Sequence, residues 1–87
     1  MEAIVHRRAE KYLARVGEPQ RSTVAAAIDR LECEPPQGDI EPIVGKKGFF
    51  RARVGGFRIL FTVKGDHIFV VNIVPRGQAY NKKEMEK

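Results

Sequence analysis

Phe49-Phe50-Arg51-Ala52-Arg53-Val54 and Phe57-Arg58-Ile59-Leu60-Phe61 both alternate, and Gly55-Gly56 lies between them. Two alternating runs joined by a Gly pair read as a β-hairpin, because glycine tolerates the positive φ that a two-residue turn requires. The turn fixes the register. Val54 faces Phe57, Ala52 faces Ile59 and Phe50 faces Phe61, which makes one apolar face. The other face carries Arg51, Arg53 and Arg58, with Arg53 directly across from Arg58. Like charges opposite one another destabilise a sheet. A solvated outer face would also alternate, but Glu or Thr at one of these positions would avoid the repulsion. Three guanidiniums on one surface look like a site for an anion, since the planar Arg fork suits phosphate and stays charged at physiological pH.

The charge distribution sharpens that reading. Net charge is +5 over 87 residues. From Pro42 to Gly65 the basic residues are Lys46, Lys47, Arg51, Arg53, Arg58 and Lys64, with no acid among them. The first forty residues mix both signs. A basic half beside a mixed half points to a polyanion on one face, and an acidic protein would satisfy the same field. Cys33 stands alone, which excludes a disulfide framework and a Cys-based metal site. No apolar run approaches the ~20 residues of a membrane span, and His6-Arg7-Arg8 breaks any secretory leader, so cytoplasmic residence is expected.

The rest of the chain supplies a layer to cover the hairpin. Glu2–Val5 is a candidate strand. Ala9, Tyr12, Leu13 and Val16 fall at helical spacing over Arg7–Val16, and Gly17 fits the left-handed position after that helix. Pro19 suits the first position of a second helix, which carries Val24, Ala27, Ile28 and Leu31 on one side and runs to about Glu34, before Pro35-Pro36. Residues 37–48 read as a loop, with a short extended piece at Ile43-Val44. Lys64-Gly65-Asp66-His67 reads as a second turn. Ile68–Val74 is the most apolar run and reads as a central strand ended by Pro75. Asn72 falls on the Ile59 side in this register, an awkward place for an amide. Arg76–Lys87 reads as a polar tail or short helix. The expected fold is α+β over a single domain, residues 1–87, in the order β-α-α-β-β-β. An antiparallel three-stranded meander has two helices on the face of Phe50, Ala52, Phe57 and Phe61, and the arginine face is left free. His67 is expected as a solvated turn residue, Tyr12 as packing, and Cys33 as inert and partly buried.

Three stretches carry a resemblance to a known family. They are Ala9-Glu10-Lys11-Tyr12-Leu13, Phe50 through Phe61, and Val74-Pro75-Arg76-Gly77-Gln78-Ala79-Tyr80. Over nearly its whole length the chain resembles toxins of the RelE/ParE superfamily from type II toxin–antitoxin systems, in particular the RelE-like branch. That resemblance implies a ribosome-dependent endoribonuclease that cleaves messenger RNA without a metal or other cofactor, by attack of the RNA 2′-hydroxyl, and so inhibits translation. It implies Arg51, Arg53, Arg58, Arg76 and Tyr80 as the catalytic set. Arg58 and Arg76 would stabilise the phosphorane, and Arg51, Arg53, Lys46 and Lys47 would bind the RNA backbone. Relatives often have Lys at the positions of Arg51 and Arg53. Arg gives up no proton at neutral pH, so proton transfer would fall to Tyr80, whose phenol, ordinarily near pKa ~10, nearby arginines would lower. The implied partners are an acidic, RelB-like antitoxin, the ribosome and its message, and operator DNA through the antitoxin alone, with no membrane. The superfamily also includes gyrase-directed, ParE-like members, which leave a binding-only alternative open.

Overall fold

The computed structural model describes residues 1–75. Its elements run β1 (Glu2–Val5), α1 (Arg7–Val16), α2 (Gln20–Leu31), β2 (Asp39–Pro42), β3 (Phe49–Val54), β4 (Phe57–Lys64) and β5 (His67–Pro75). They form a five-stranded sheet in the order β1-β5-β4-β3-β2. β1 lies parallel to β5, and the other neighbours are antiparallel. The α+β order expected from sequence is present, with one additional strand. The strand read as central, β5, is interior, but the middle of the sheet is β4.

The hairpin has the register the alternation predicts: Val54 opposite Phe57, Ala52 opposite Ile59, Phe50 opposite Phe61 and Arg53 opposite Arg58. Gly55 takes φ 55° while Gly56 is not at positive φ. Glycine at the first central position is the signature of a type II′ turn, whose twist matches the strands it joins. A Cβ on Gly55 would touch nothing within 4 Å, so any cost of a side chain there is backbone strain alone. Gly55→Ala should therefore lose about 1 kcal/mol and Gly56→Ala less than about half of that, by urea denaturation.

The main core lies between the helices and the inner face of the sheet. Ala9, Val24, Ala27, Ile28 and Leu31 from the helices meet Ala52, Ile59, Phe61, Ile68, Val70 and Ile73 from the strands. α1 packs chiefly on β5, and α2 touches β1 and β3. Tyr12 packs edge-on against Phe57, with ring centroids 6.1 Å apart. Local chemistry sets the helix ends. His6 caps α1, its Nδ1 accepting from the Arg8 N–H at 3.1 Å. Gly17 follows α1 at φ 79°. α2 begins at Gln20 with Pro19 as its cap residue, so Pro19 lies one position earlier than expected. Glu18 supplies the missing cap by accepting the Ser22 N–H at 3.2 Å. The Ser22 hydroxyl, with Arg21 beside it, holds the Glu18 carboxyl below the usual carboxylate range. α2 stops at Leu31, short of the expected Glu34, because the Glu32 and Cys33 N–H groups bond back to Asp29 and Arg30 carbonyls and tighten the last turn. Glu32 then reaches the edge strand, where its Oε2 accepts the Ala3 N–H at 2.8 Å.

Three further expectations are corrected. The extended piece before the hairpin is Asp39–Pro42 rather than Ile43-Val44. Ile43 is buried just past the strand, while Val44 is 99% exposed at a loop tip. A β-bulge between Leu60 and Phe61 shifts the β4–β5 pairing, so Asn72 lies opposite Leu60 and not beside Ile59. There its Oδ1 accepts the Ile73 N–H at 2.9 Å, which resolves the apparent conflict of an amide in the core. Cys33 is exposed, two residues past the end of α2 at Leu31 and off its buried side.

Candidate phosphate-binding face

The face of the sheet away from the helices holds the candidate site. Ladder alternation puts Arg51 and Arg53 of β3 and Arg58 of β4 on it together. Arg51 lies opposite Leu60 and Arg53 opposite Arg58, so Arg51 and Arg58 are diagonal neighbours, roughly 7–8 Å apart in an antiparallel ladder. The face is not bare. Ile43, Leu60, Val71 and Val74 form a second small apolar cluster with Phe49 packed against it. The bulge contributes to this cluster by letting both Val71 and Asn72 fall on the open side. The arginines therefore rise from an apolar floor. A floor of this kind lowers the local dielectric and strengthens any charge interaction above it.

Two of the three guanidiniums are not free, contrary to expectation. β2 pairs with β3 so that Glu41 lies opposite Arg51 and Asp39 opposite Arg53. Arg53 turns its Nε and Nη2 onto a single oxygen, Asp39 Oδ2, at 2.9 and 2.8 Å. Arg51 Nη2 donates to Glu41 Oε1. Sequence reading missed these acids because they precede the acid-free stretch and sit in what reads as loop. The detectable signal was Asp39-x-Glu41, which alternates in step with Arg51-x-Arg53.

Arg58 differs from the other two. Among the described residues it pairs with no carboxylate, and its buried Nε meets no hydrogen-bond acceptor. Arg51 Nη1 is buried in the same state. Burying a charged donor without an acceptor costs about 1–3 kcal/mol or more. Two such donors at diagonal positions on one face are what a site for an oxyanion would present.

The other candidates are spread more widely. Lys46 and Lys47 lie on the loop between β2 and β3. Lys46 Nζ sits 5.1 Å above the Phe49 ring, so a cation–π contact holds it at the rim of the same face. Lys47 is exposed. Arg76 and Tyr80 lie outside the described residues. His67, expected to be solvated, stands between Glu2 and Asp66 at 3.4 and 3.0 Å, at the far end of β5 from Pro75. Among the described residues no three His, Cys, Asp or Glu side chains gather as metal ligands.

Solved structures share this architecture. The chain is 25% identical to the toxin of the archaeal RelE–RelB complex from Pyrococcus horikoshii, with a TM-score of 0.74 over 90% of this chain and 97% of that one. The RelB–RelE complex from Methanococcus jannaschii matches at 24% identity and TM-score 0.69, over 83% and 88% of the two chains. The isolated Escherichia coli RelE toxin matches in fold at 15% identity and TM-score 0.73, over 90% and 86%. No curated protein matches the chain in sequence. The family model for the ParE toxin of the type II toxin–antitoxin system parDE matches residues 3–80. The chain thus belongs to the ParE toxin family of the RelE/ParE superfamily, and is a toxin of a toxin–antitoxin system built on a RelE-like fold.

Proposed function

We propose that this toxin is a metal-independent endoribonuclease that cuts messenger RNA on the ribosome, with the scissile phosphate held over Arg58. The observation that carries the reading is the Arg58 guanidinium, which lacks a carboxylate partner among the described residues and has a buried Nε with no acceptor. In the reaction the RNA 2′-oxygen bonds to the adjacent phosphorus and the 5′-oxygen leaves, which yields a 2′,3′-cyclic phosphate and a 5′-hydroxyl. The proton of the 2′-hydroxyl goes to a base, for which Tyr80 is the candidate, and the leaving oxygen takes one up. Charge builds on the non-bridging oxygens of the phosphorane, and fixed cations stabilise that state more than the ground state. Arg58 fills this role from β4. Arg76 follows Pro75, whose ladder partner is Phe57 beside Arg58. Arg51, Arg53, Lys46 and Lys47 would hold flanking phosphates. This activity places the protein in the cytoplasm, with the ribosome.

The restraining partner in this reading is an acidic antitoxin. The RelE structures from Pyrococcus horikoshii and Methanococcus jannaschii are complexes with RelB. On this chain an apolar groove of about 340 Å³, lined by Ile40, Phe50, Phe61 and Val63 with Pro36 and Gly38, could take an apolar segment of such a partner.

A second reading is favoured by specific observations: the carboxylates on Arg51 and Arg53, and the ParE family match. It is a toxin that acts by binding alone, gyrase being the expected target. Programmed ribosomes separate the two. Under the nuclease reading the wild type cuts the message, and Arg76→Ala lowers the cut fraction at least about a hundredfold without a change in melting temperature. An uncut message, with DNA damage on expression in place of immediate translation arrest, would favour the binding reading.

A further inference from the structure

The acids of β2 match the arginines of β3 one for one. Asp39 and Glu41 are two residues apart on a strand, so both point to the open face, and the antiparallel register sets them against Arg53 and Arg51. A short edge strand is already protected from pairing by Pro42 at its end. Protection alone therefore does not call for acid at both positions. Their effect is electrostatic, since they cancel two of the three charges on the face that otherwise suits a polyanion.

These pairs can be displaced. The Asp39 and Glu41 side chains are 49% and 56% exposed. Arg53 is 43% exposed as well, whereas Arg51 is 16% exposed, so water and salt screen the Asp39 pair well and the Glu41 pair from the acid's side only. A carboxylate and a phosphodiester ask for the same forked donors, so a nucleic-acid backbone entering the face competes for the sites that Asp39 and Glu41 already fill. Arg58 has no such competitor among the described residues.

We infer that Asp39 and Glu41 act as internal substitutes for phosphate, occupying Arg53 and Arg51 until an RNA backbone displaces them. This rests on the reading of the open face as an RNA-backbone site. The acids suppress binding to stray single strands. Arg51 and Arg53 then engage only a strand already held by other contacts, as a strand positioned on a ribosome would be.

Salt dependence tests this. Each phosphate contact made by a single strand adds about 0.7 to the slope of log affinity against log salt. In the wild type, two of those contacts also release a carboxylate that regains its own counterions, so the gain is cancelled. Fluorescence anisotropy with a 2′-O-methyl single-stranded oligonucleotide, which 2′-hydroxyl attack cannot cut, reads binding apart from cleavage. The variants are Asp39→Asn/Glu41→Gln and, as a charge-matched control on the helices, Glu10→Gln/Asp29→Asn. The first should bind roughly tenfold tighter than wild type at about 0.1 M salt, with a slope steeper by about 1.4. The control should change less than about twofold. Equal behaviour of the two variants, or weaker binding by the first, overturns the inference. If the β2 double variant melts early, the single changes decide, each expected to tighten binding about threefold. An uncut message from the wild type with this contrast intact would sink the nuclease reading alone. A flat contrast beside normal cleavage would sink the carboxylate inference alone.

Discussion

Phe61→Ala should remove most of the chain's stability. Phe61 is 1% exposed at the middle of β4. It faces Phe50 on one side, with ring centroids 5.7 Å apart, and Val70 on the other. It therefore ties three strands together beneath the helices. Removing a buried phenyl ring costs about 3–5 kcal/mol, from lost transfer energy and from the cavity left behind. Domain stabilities run about 5–15 kcal/mol, and a chain this small sits low in that range. With a slope near 1 kcal/mol per molar urea, the midpoint should fall by about 3 M or vanish. Val44→Ala, at a position 99% exposed, should leave it in place. A shift below about 1 M for Phe61→Ala would mean that the inner face does not pack as described.

Arg58→Gln should have the opposite pattern, with activity lost and stability kept or raised. Arg58 faces Arg53 across the hairpin. Like charges at that position cost about 0.2–1 kcal/mol before Asp39 offsets Arg53, so the neutral side chain recovers at most part of that. If Arg58 stabilises the phosphorane, its loss should slow message cleavage about 10²–10³-fold, as loss of one fixed transition-state donor does elsewhere. The combination matters more than either half. A structural arginine would lower the melting temperature when removed, while a group held against local repulsion for the sake of chemistry would not. Cleavage within about threefold of wild type would remove Arg58 from the proposed mechanism.

How much was legible follows from where the information lies. The hairpin register was readable because Gly55-Gly56 is a local signal and Phe50, Ala52 and Val54 repeat with period two. α1 was readable to both ends because its apolar spacing and Gly17 are both local. β2 was not. Asp39-Ile40-Glu41-Pro42 has poor strand propensity, and it becomes a strand because β3 offers a partner, which is a tertiary effect. The bulge at Leu60/Phe61 carries no glycine to mark it, and it alone moves Asn72 to the open face. Missing β2 meant missing the candidate site's counter-charges. Three arginines on one face follow from alternation, but Glu41 on Arg51 and Asp39 on Arg53 follow only once the strand beside them is known.

Chemical identity of the cut ends is the sharpest single test. Wild-type toxin, ribosomes and a defined message would be incubated with ribosomal magnesium retained and transition metals chelated, and the new 3′ termini of the RNA then identified. Attack by the 2′-hydroxyl at a phosphate held over Arg58 leaves 2′,3′-cyclic phosphates, and these should be absent with Arg58→Gln. Termini bearing 3′-hydroxyls, or a message still whole after prolonged incubation, would contradict it.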